Sequence, residues 1–457
     1  MKTINRIITF AGIAACSIAA TAQNTNSGYF LDNYNYRYQL NPAFANEKNF
    51  IAMPALGNVN VGLTGNIGLK DVLYNVDGKT VLFTNPGVSV QEAMCHIRDN
   101  NQLDFATRIN LLSAGFKAFN GYNTITIGLR ADVHANVPRA FFSLAKEGIS
   151  NQTYDIHNLY ADGMGWAEVA LHHSHELFDG FRLGLAAKFL VGGANVQAKF
   201  HDAKLTLGEN DWTATTDADV YVNLAKFQYE TKYNEDLKRN YVSGVNMDGS
   251  GSYGPAGYGV AFDLGLSYEI NDWQLSAAIL DLGFISFKDT KFASTNGPQT
   301  IHTDAYTFNV NDNADNSFSN EWEIMKTDFD KLYQLNDNGN IGNRSRMLSA
   351  TLNVGIDYTL PSYRNLHFGV LSSTRFMGTH TWSEARISAN IHPVKCLSAS
   401  VNLGAGTYGT SFGWLLNVYT TGINFFVGMD HTALKVTKQY VPLTNNLAFN
   451  VGLNFPF

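Results

Sequence analysis

Hydrophobic residues alternate with small or polar residues along much of this chain. In the segment 258–270, YGVAFDLGLSYEI, the even-numbered positions hold Tyr, Val, Phe, Leu and Ile, and the odd-numbered ones hold Gly, Ala, Asp, Ser and Glu. Successive side chains of a β-strand point to opposite faces, so this pattern predicts a strand with one apolar face. Its aromatic residues lie at both ends and its aliphatic residues in the middle, as in strands that cross a bilayer.

The same alternation recurs in nine further segments. They are 59–69, 103–111, 123–137, 181–191, 348–360, 366–376, 381–391, 397–405 and 447–457. Most are longer than the ~5–6 residues of soluble strands and match tilted membrane strands of ~9–11 residues. The chain therefore has the strand content of a transmembrane barrel.

Charged residues in these segments all fall on the polar phase. They are Asp104, Arg108, Arg130, Asp132, Arg182, Lys188, Asp263, Glu269, Asp357, Arg375, Glu384 and Arg386. This distribution is expected if the other phase meets lipid, where a charge costs roughly 2–4 kcal/mol at the midplane. A soluble β-sandwich would also alternate, but its outer faces would be rich in Lys and Glu, whereas these polar faces are mostly Gly, Ser, Asn and Thr.

The connections predict an even number of strands. Bacterial single-chain barrels alternate short periplasmic turns with longer outer loops. Here the long connections are 70–102, 138–164, 195–257 and 284–346, and the short ones include 177–180, 271–272 and 361–365. If 212–224 forms a hairpin above the membrane, the count is 14; if 212–224 and 226–233 cross the bilayer, it is 16. We expect an all-β transmembrane antiparallel barrel of 14 strands over residues 57–457.

The first 22 residues have the pattern of a secretory signal peptide. Lys2 and Arg6 precede an apolar run, and Ala20-Thr21-Ala22 has the small-x-small form of a cleavage site. A lipoprotein site at Cys16 is the alternative, but the apolar run continues past that cysteine. We expect export to the outer membrane, where membrane lipid and the barrel-assembly machinery would be partners.

Composition narrows the class further. Only 16% of residues are charged, and loss of Lys2 and Arg6 leaves 30 basic and 39 acidic residues, a net charge of −9. This acidic balance argues against nucleic acid as a partner. No run beyond the signal segment approaches the ~18 apolar residues of a transmembrane helix. Cys95 and Cys396 remain after cleavage, and we expect them to be unpaired.

The stretch before the first strand carries a resemblance. Residues 29–62, YFLDNYNYRYQLNPAFANEKNFIAMPALGNVNVG, begin with an aromatic cluster that could pack inside a barrel mouth. The stretch resembles an uncharacterised family of outer-membrane barrels from the Bacteroidota, a domain of unknown function, and this resemblance extends over the mature chain. Its tripeptide Asn41-Pro42-Ala43 is similar to an element near the N-terminus of the long-chain fatty-acid transporter superfamily. Barrel components of type IX secretion and gliding systems have a similar tripeptide.

The resemblance to the transporter superfamily implies a 14-stranded barrel closed by an N-terminal hatch, here residues 23–56. It also implies hydrophobic substrates that leave sideways into the membrane. The last strand ends with Phe455 and Phe457, which resembles the terminal signal that the assembly machinery recognises in outer-membrane proteins.

Candidate sites within the barrel are few. Six basic residues on polar phases could contact an anionic headgroup or pair with lumenal carboxylates: Arg108, Arg130, Arg182, Lys188, Arg375 and Arg386. His172, His173 and His175 lie close together, and His173 and His175 share a face as two metal ligands might. The sequence supplies no third and fourth ligand, so we predict interfacial or lumenal histidines and no metal or cofactor. No catalytic motif occurs, so we predict that the protein is not an enzyme. Residues 319–335 have apolar positions near helical spacing.

Two functions are compatible with these features. The first, which we expect from the sequence, is binding or transport of a hydrophobic small molecule, as in the fatty-acid transporters. The second is a non-transporting surface scaffold, or a barrel associated with type IX secretion or gliding, that binds partner proteins through its loops. An apolar pocket and a break in the wall would favour the first; a lumen filled by paired charges would favour the second.

Overall fold

The computed structural model describes residues 25–147, 152–208, 211–235, 238–247, 254–304, 334–432 and 446–457. The predicted signal peptide, and the predicted helix 319–335 apart from its last two residues, lie outside these ranges.

Strands make up most of the described chain. The first thirteen are β1 (Phe50–Ala52), β2 (Asn58–Gly65), β3 (Leu73–Val76), β4 (Lys79–Leu82), β5 (Asn100–Ala118), β6 (Gly121–Pro138), β7 (Gln152–Asp155), β8 (Tyr160–Phe178), β9 (Phe181–Leu207), β10 (Asp211–Leu224), β11 (Gln228–Asn234), β12 (Arg239–Asn246) and β13 (Gly257–Ile270). The other twelve are β14 (Trp273–Phe287), β15 (Lys291–Ser294), β16 (Gln299–Asp304), β17 (Asn336–Asn340), β18 (Arg344–Met347), β19 (Ala350–Thr359), β20 (Leu366–Phe376), β21 (Trp382–Val394), β22 (Leu397–Gly406), β23 (Gly409–Tyr419), β24 (Asn424–His431) and β25 (Leu447–Pro456).

Helices are short in the described chain. The two α-helices are α1 (Val90–Met94) and α2 (Arg139–Glu147), and the 3-10 turns are Asn26–Gly28, Arg37–Gln39, Leu69–Asp71 and Gly378–His380. None of the helices described here has the length and apolarity needed to cross a bilayer.

Fourteen antiparallel wall segments close into one barrel, which confirms the predicted fold. We call each segment a stave, because two of the fourteen consist of two strands each. The first stave consists of β1 and β2, and the eighth of β18 and β19. The others are β5, β6, β8, β9, β13, β14, β20, β21, β22, β23, β24 and β25. The last strand closes the ring, because β25 pairs with β1 and β2 on one side and with β24 on the other.

The alternation in the sequence separates the outer face from the lumen. On β13, Phe262 is 57% exposed, whereas its neighbours Ala261 and Asp263 are 0% and 2% exposed. Leu185, Ile387 and other large apolar side chains are likewise exposed around the outside of the ring. These side chains form the surface that meets lipid in a membrane barrel, because no other described element covers them.

The two ends of the barrel differ. At the turn end, consecutive staves are joined by short connections such as 119–120, 179–180 and 271–272. At the loop end, β9 continues beyond the ring, and its outer half pairs with β10 from Ala194 to Leu207. Strand β10 also pairs with β15 and β16, β7 pairs with β9, and β17 pairs with β15. We call this assembly the outer sheet; it contains the segment 212–224, which is why the count is 14.

Two natural cysteines mark opposite ends. Cys95 follows α1 at the loop end, and Cys396 lies in the turn between β21 and β22; both are free and exposed. Since short turns face the periplasm in outer-membrane barrels, we predict that a membrane-impermeant maleimide applied to intact cells labels Cys95 alone. Detergent should expose both thiols, and Cys95→Ser should abolish labelling of intact cells. Equal labelling of both cysteines in intact cells would contradict this topology.

Candidate functional site

An N-terminal plug fills the lumen at the turn end. Residues 25–49 lie inside the ring, and the side chains of Tyr29, Tyr34, Tyr36 and Tyr38 are at most 2% exposed. They pack with Leu371, Leu415 and Phe426, which point inward from β20, β23 and β24. Burial raises the pKa of the Tyr38 hydroxyl to about 12, and this hydroxyl lies 2.9 Å from Thr126 Oγ1 of the wall. This part of the plug is therefore an aromatic core, and Tyr38 joins it to the wall by a neutral hydrogen bond.

The tripeptide Asn41-Pro42-Ala43 lies against the wall. Asn41 Nδ2 donates to the carbonyls of Leu266 (3.1 Å) and Ala277 (3.4 Å), and Asn41 Oδ1 accepts from Ala43 N (2.9 Å). Two wall glycines make room for it. A Cβ added at Gly184 would overlap the Pro42 carbonyl and the Ala43 nitrogen, and one added at Gly265 would overlap Asn41 Oδ1. The tripeptide thus anchors the plug by close backbone approach.

The start of the plug is bound through its main chain. Asp430 on β24 accepts hydrogen bonds from the backbone N–H groups of Asn26 (2.5 Å) and Ser27 (2.7 Å). Arg386 pairs with Glu384 at 2.8 Å and donates to the Asp430 carbonyl at 3.0 Å. This cluster joins β21, β24 and the plug midway along the lumen.

A layer of charges lies above the plug. Arg130 donates to both carboxylate oxygens of Asp281, at 2.8 and 2.9 Å. Lys188 contacts Asp281 and Asp263, each at 2.6 Å. Glu168 lies 3.3 Å from Arg130 and 3.8 Å from Arg108. Buried charges are stable only when each is paired and hydrogen-bonded, so this group behaves as one unit.

A bulge places Asp281 in that layer. Strict alternation along β14 would put Asp281 on the lipid face together with Leu275 and Ile279. Opposite Asp263 the register jumps, so that Phe262 faces Leu282 and Leu264 faces Ile279. Asp281 has φ +60°, and its backbone N–H donates to Asp263 Oδ1 at 2.7 Å. The bulge therefore turns the carboxylate inward to its cationic partners.

Other ion pairs cross the lumen. Arg375 on β20 contacts Asp132 on β6 at 2.7 Å, which joins staves from opposite sides of the ring. Nearer the loop end, Arg346 on β18 contacts Asp162 on β8, also at 2.7 Å. In each pair the opposite charges neutralise each other. Because the partners come from non-adjacent strands, the pairs also narrow the lumen.

A short turn covers the lumen at the loop end. His380, in the turn between β20 and β21, contacts Asp104 on β5 at 2.6 Å. Its neighbour Thr379 accepts a hydrogen bond from Gln102 through its carbonyl and has Tyr160 Oη beside its hydroxyl, both at 3.0 Å. Tyr408 Oη donates to Asp104 at 2.8 Å. This turn, residues 377–381, thus reaches across the lumen to the opposite wall, and we call it the mouth turn.

Little space remains between these layers. The cavity lined by Asn26, Arg130, Asp132, Asp281 and Arg375 has a volume of about 40 Å³. That is enough for roughly two or three waters, and far below the ~300 Å³ of a small-molecule site. A larger cleft of about 370 Å³ lies outside the lumen, between α2 and β7, and is lined by Arg139, Glu147 and His157 among other polar residues. Within the described chain, neither space is an apolar pocket for a lipid tail.

The structure places the predicted site residues as follows. Arg108, Arg130, Lys188, Arg375 and Arg386 all lie in the lumen beside carboxylates, whereas Arg182 pairs with Glu176 at the turn end (2.9 Å). His172 packs on Tyr38 in the lumen, while His173 and His175 stack on the outer surface. Phe457 donates its backbone N–H to Asn49 at the turn-end rim. A ligand-binding role for the six cations and an assembly role for Phe455 and Phe457 stay predictions.

Sequence reasoning missed four lumenal residues: Glu168, Asp281, His134 and His380. Asp281 carried a usable signal, because a carboxylate on the apolar phase of LSAAILDLGFISF requires either an unfavourable lipid contact or a bulge. The position of His380 carried none, since its partner Asp104 is 276 residues away.

These features define a closed transmembrane β-barrel with a lumenal plug. Residues 42–430 match a family of unknown function, DUF5723, and the chain belongs to that family. The Bacteroidota origin suggested by the sequence stays a prediction. No curated protein matches the chain.

Several solved barrels have a similar architecture. They include the toluene transporter TodX of P. putida (TM-score 0.41, 8% identity, 96% of this chain and 94% of that chain) and a Pseudomonas aeruginosa FadL homologue (TM-score 0.41, 10% identity, 96% and 98%). The translocator domain of the autotransporter NalP from Neisseria meningitidis is also similar (TM-score 0.32, 8% identity, 96% and 100%).

The close packing of the plug generates a first prediction. Gly184→Ala should destabilise the barrel by about 1–3 kcal/mol, because the new methyl overlaps the plug backbone. Gly163→Ala is the matched control, since its Cβ would meet only Val133 Cγ2 at 3.6 Å. Urea unfolding of both variants in detergent measures the difference. Equal stability of the two would show that the plug backbone does not pack closely against Gly184.

The charge layer generates a second prediction. Asp281→Asn leaves Arg130 and Lys188 without their shared carboxylate, so unfolding free energy should fall by about 3–5 kcal/mol. Glu176→Gln removes the half-exposed partner of Arg182 and should cost about 1 kcal/mol or less. The same urea titration compares them; a loss at Asp281 no larger than at Glu176 would show that the layer is not a coupled buried unit.

Proposed function

We propose that this DUF5723 protein is an outer-membrane barrel that is closed to solutes at rest and acts as a surface scaffold. Its outer sheet and loops bind a partner protein, and the barrel holds them at the cell surface. The observation that carries this proposal is the filling of the lumen by plug, ion pairs and mouth turn, which leaves a polar cavity of about 40 Å³.

The charge layer supports closure rather than ligand capture. The candidate headgroup contacts Arg130, Lys188 and Arg375 already have carboxylate partners at 2.6–2.8 Å. An anionic ligand would have to displace these carboxylates, leaving them buried without a counter-charge. A lumen of paired charges is the condition that favours the scaffold over the transporter.

The outer sheet supports a binding role at the surface. Residues 194–207 of β9 add about 45 Å of strand at ~3.3 Å per residue, beyond what is needed to cross a bilayer. Apolar side chains are also exposed outside the ring, among them Phe141 (46%), Tyr233 (55%) and Ile341 (49%). Such residues are suited to a protein contact.

Transport of a hydrophobic small molecule is the second candidate, and one feature favours it. At the Asp281 bulge, β14 changes partner from β19 to β18, so the wall is irregular midway along the lumen. The ladder stays closed there, because Leu348 N donates to Gly283 O at 2.9 Å. Passage of a hydrophobic molecule through the wall at this bulge would require the bulge to open and the plug to move.

Planar-bilayer recordings test closure. Purified protein should show no steady conductance, whereas a variant lacking residues 25–49 should conduct weakly and intermittently, because the ion pairs and the mouth turn still cross the lumen after the plug is removed. Heat-dependent gel mobility confirms that each preparation is a folded barrel. Steady conductance of the intact protein would contradict the closed state.

A photo-crosslinking amino acid tests the scaffold. Placed at Tyr233 in the β11–β12 hairpin, it should form an adduct with another protein in cells; placed at the lipid-facing Phe262, it should not. Protein-dependent uptake of a labelled fatty acid, with no adduct at Tyr233, would instead support transport.

A further inference from the structure

Two histidines and an aspartate meet beneath the mouth turn. Nδ1 of His134 (β6) lies 2.9 Å from Asp104 Oδ1, and Nδ1 of His380 lies 2.6 Å from the same oxygen. All three possible ligand atoms lie within 4.8 Å of one another. The side chains of Asp104, His134 and His380 are 5%, 15% and 2% exposed, so the cluster is enclosed but can be reached from the mouth beside His134.

Asp104 is bound differently from three other lumenal carboxylates. Asp132, Asp281 and Glu384 are each paired with an arginine. Asp104 instead has two imidazoles and the Tyr408 hydroxyl as hydrogen-bond partners. Both ring nitrogens and the carboxylate oxygen converge on one point, where a bound cation could contact all three.

Two imidazole nitrogens and one carboxylate oxygen form a common ligand set for divalent transition metals. We propose that Asp104, His134 and His380 bind one such ion, for which Zn²⁺ is the natural probe. Metal–ligand bonds of ~2.0–2.2 Å place ligand atoms roughly 3.4 Å apart in a tetrahedral site. The two observed nitrogen–oxygen distances, 2.9 and 2.6 Å, are shorter than this by less than an ångström, so small rotations of the two rings would open the site.

The surroundings hold these ligands in place. Tyr408 Oη donates to Asp104 Oδ2 at 2.8 Å, which fixes the carboxylate and leaves Oδ1 for the ion. Thr379, next to His380, is held by Gln102 and Tyr160. Hydrogen-bonded supports of this kind orient the ligands of metal sites.

A bound ion would join three separate parts of the barrel. Asp104 and His134 lie on the neighbouring strands β5 and β6, whereas His380 belongs to the turn that reaches over the mouth from β20. The ion would therefore fasten this turn to the opposite wall. This inference does not depend on the proposed scaffold function, since a metal-tied turn is compatible with either candidate.

Two other histidine groups provide internal comparisons. Asp32, His367 and His392 also bring ligand atoms within 4.8 Å, at the turn end. There the Asp32 carboxylate already pairs with Arg37 and its side chain is 52% exposed, which makes that site weaker. His173 and His175 are a stacked surface pair.

Metal content and a cobalt spectrum test the proposal. Full-length protein in detergent is stripped with a chelator, loaded with Zn²⁺ or Co²⁺, and desalted. We expect one ion per chain and visible Co²⁺ absorption bands of a nitrogen- and oxygen-ligated site. Zn²⁺ should also raise the temperature at which the folded gel band converts to the unfolded one.

Variants locate the ion. His380→Gln and Asp104→Asn should each weaken Co²⁺ binding by more than about tenfold and abolish the Zn²⁺-dependent temperature shift, while heat-dependent mobility confirms folding. The double variant His173→Gln/His175→Gln should bind as the unaltered protein does. Absence of a retained ion, full binding by both His380→Gln and Asp104→Asn, or loss only in His367→Gln would overturn the assignment. In those cases Asp104 and the histidines are simply a hydrogen-bonded cluster.

Discussion

A charge buried inside a membrane barrel is stable only when it is paired or fully hydrogen-bonded, and this constraint organises the interior of the protein. Within the described residues, the outward-facing side chains of the barrel strands carry no charge at mid-height. The lumen meets the constraint by pairing: Asp281 serves Arg130 and Lys188 together, and Arg375 reaches Asp132 across the ring. Pairs that span the lumen must bring opposite walls together, so the same interactions that neutralise the interior also close it.

The plug completes this closure by a different kind of contact. Its tyrosines exclude water from the turn end by apolar packing, and its main chain approaches the wall where glycines leave room, at Gly184 and Gly265. Asp430 binds the backbone at the start of the plug. The plug is therefore fixed at its start, its middle and its aromatic core. A protein that moved this plug in each working cycle would have to break all three sets of contacts, which is why a closed scaffold agrees better with the structure than a transporter.

Alternation predicted the barrel well because a membrane strand must keep its two faces distinct over its whole length. The segment 258–270 is a strand that begins one residue earlier, at Gly257, and the outer hairpin at 212–224 explains why the count is 14. What alternation could not predict is which residues face each other across the lumen. Asp104 and His380, or Arg130 and Asp281, meet only because the ring closes. The bulge at Asp281 breaks the period itself, so a rule of strict alternation places that carboxylate in lipid.

Two adjacent serines on β20 allow the most direct test of a lipid-facing wall around a closed lumen. Ser372 points outward and Ser373, 2% exposed, lines the lumenal cavity. Ser372→Cys and Ser373→Cys are made separately in a background without other cysteines and reconstituted into bilayers. The account predicts that a lipid-soluble maleimide labels the Ser372→Cys variant alone, and that a small water-soluble thiol reagent reaches neither until the barrel is unfolded. Modification of the folded Ser373→Cys variant by the water-soluble reagent would show an open lumen and contradict the account.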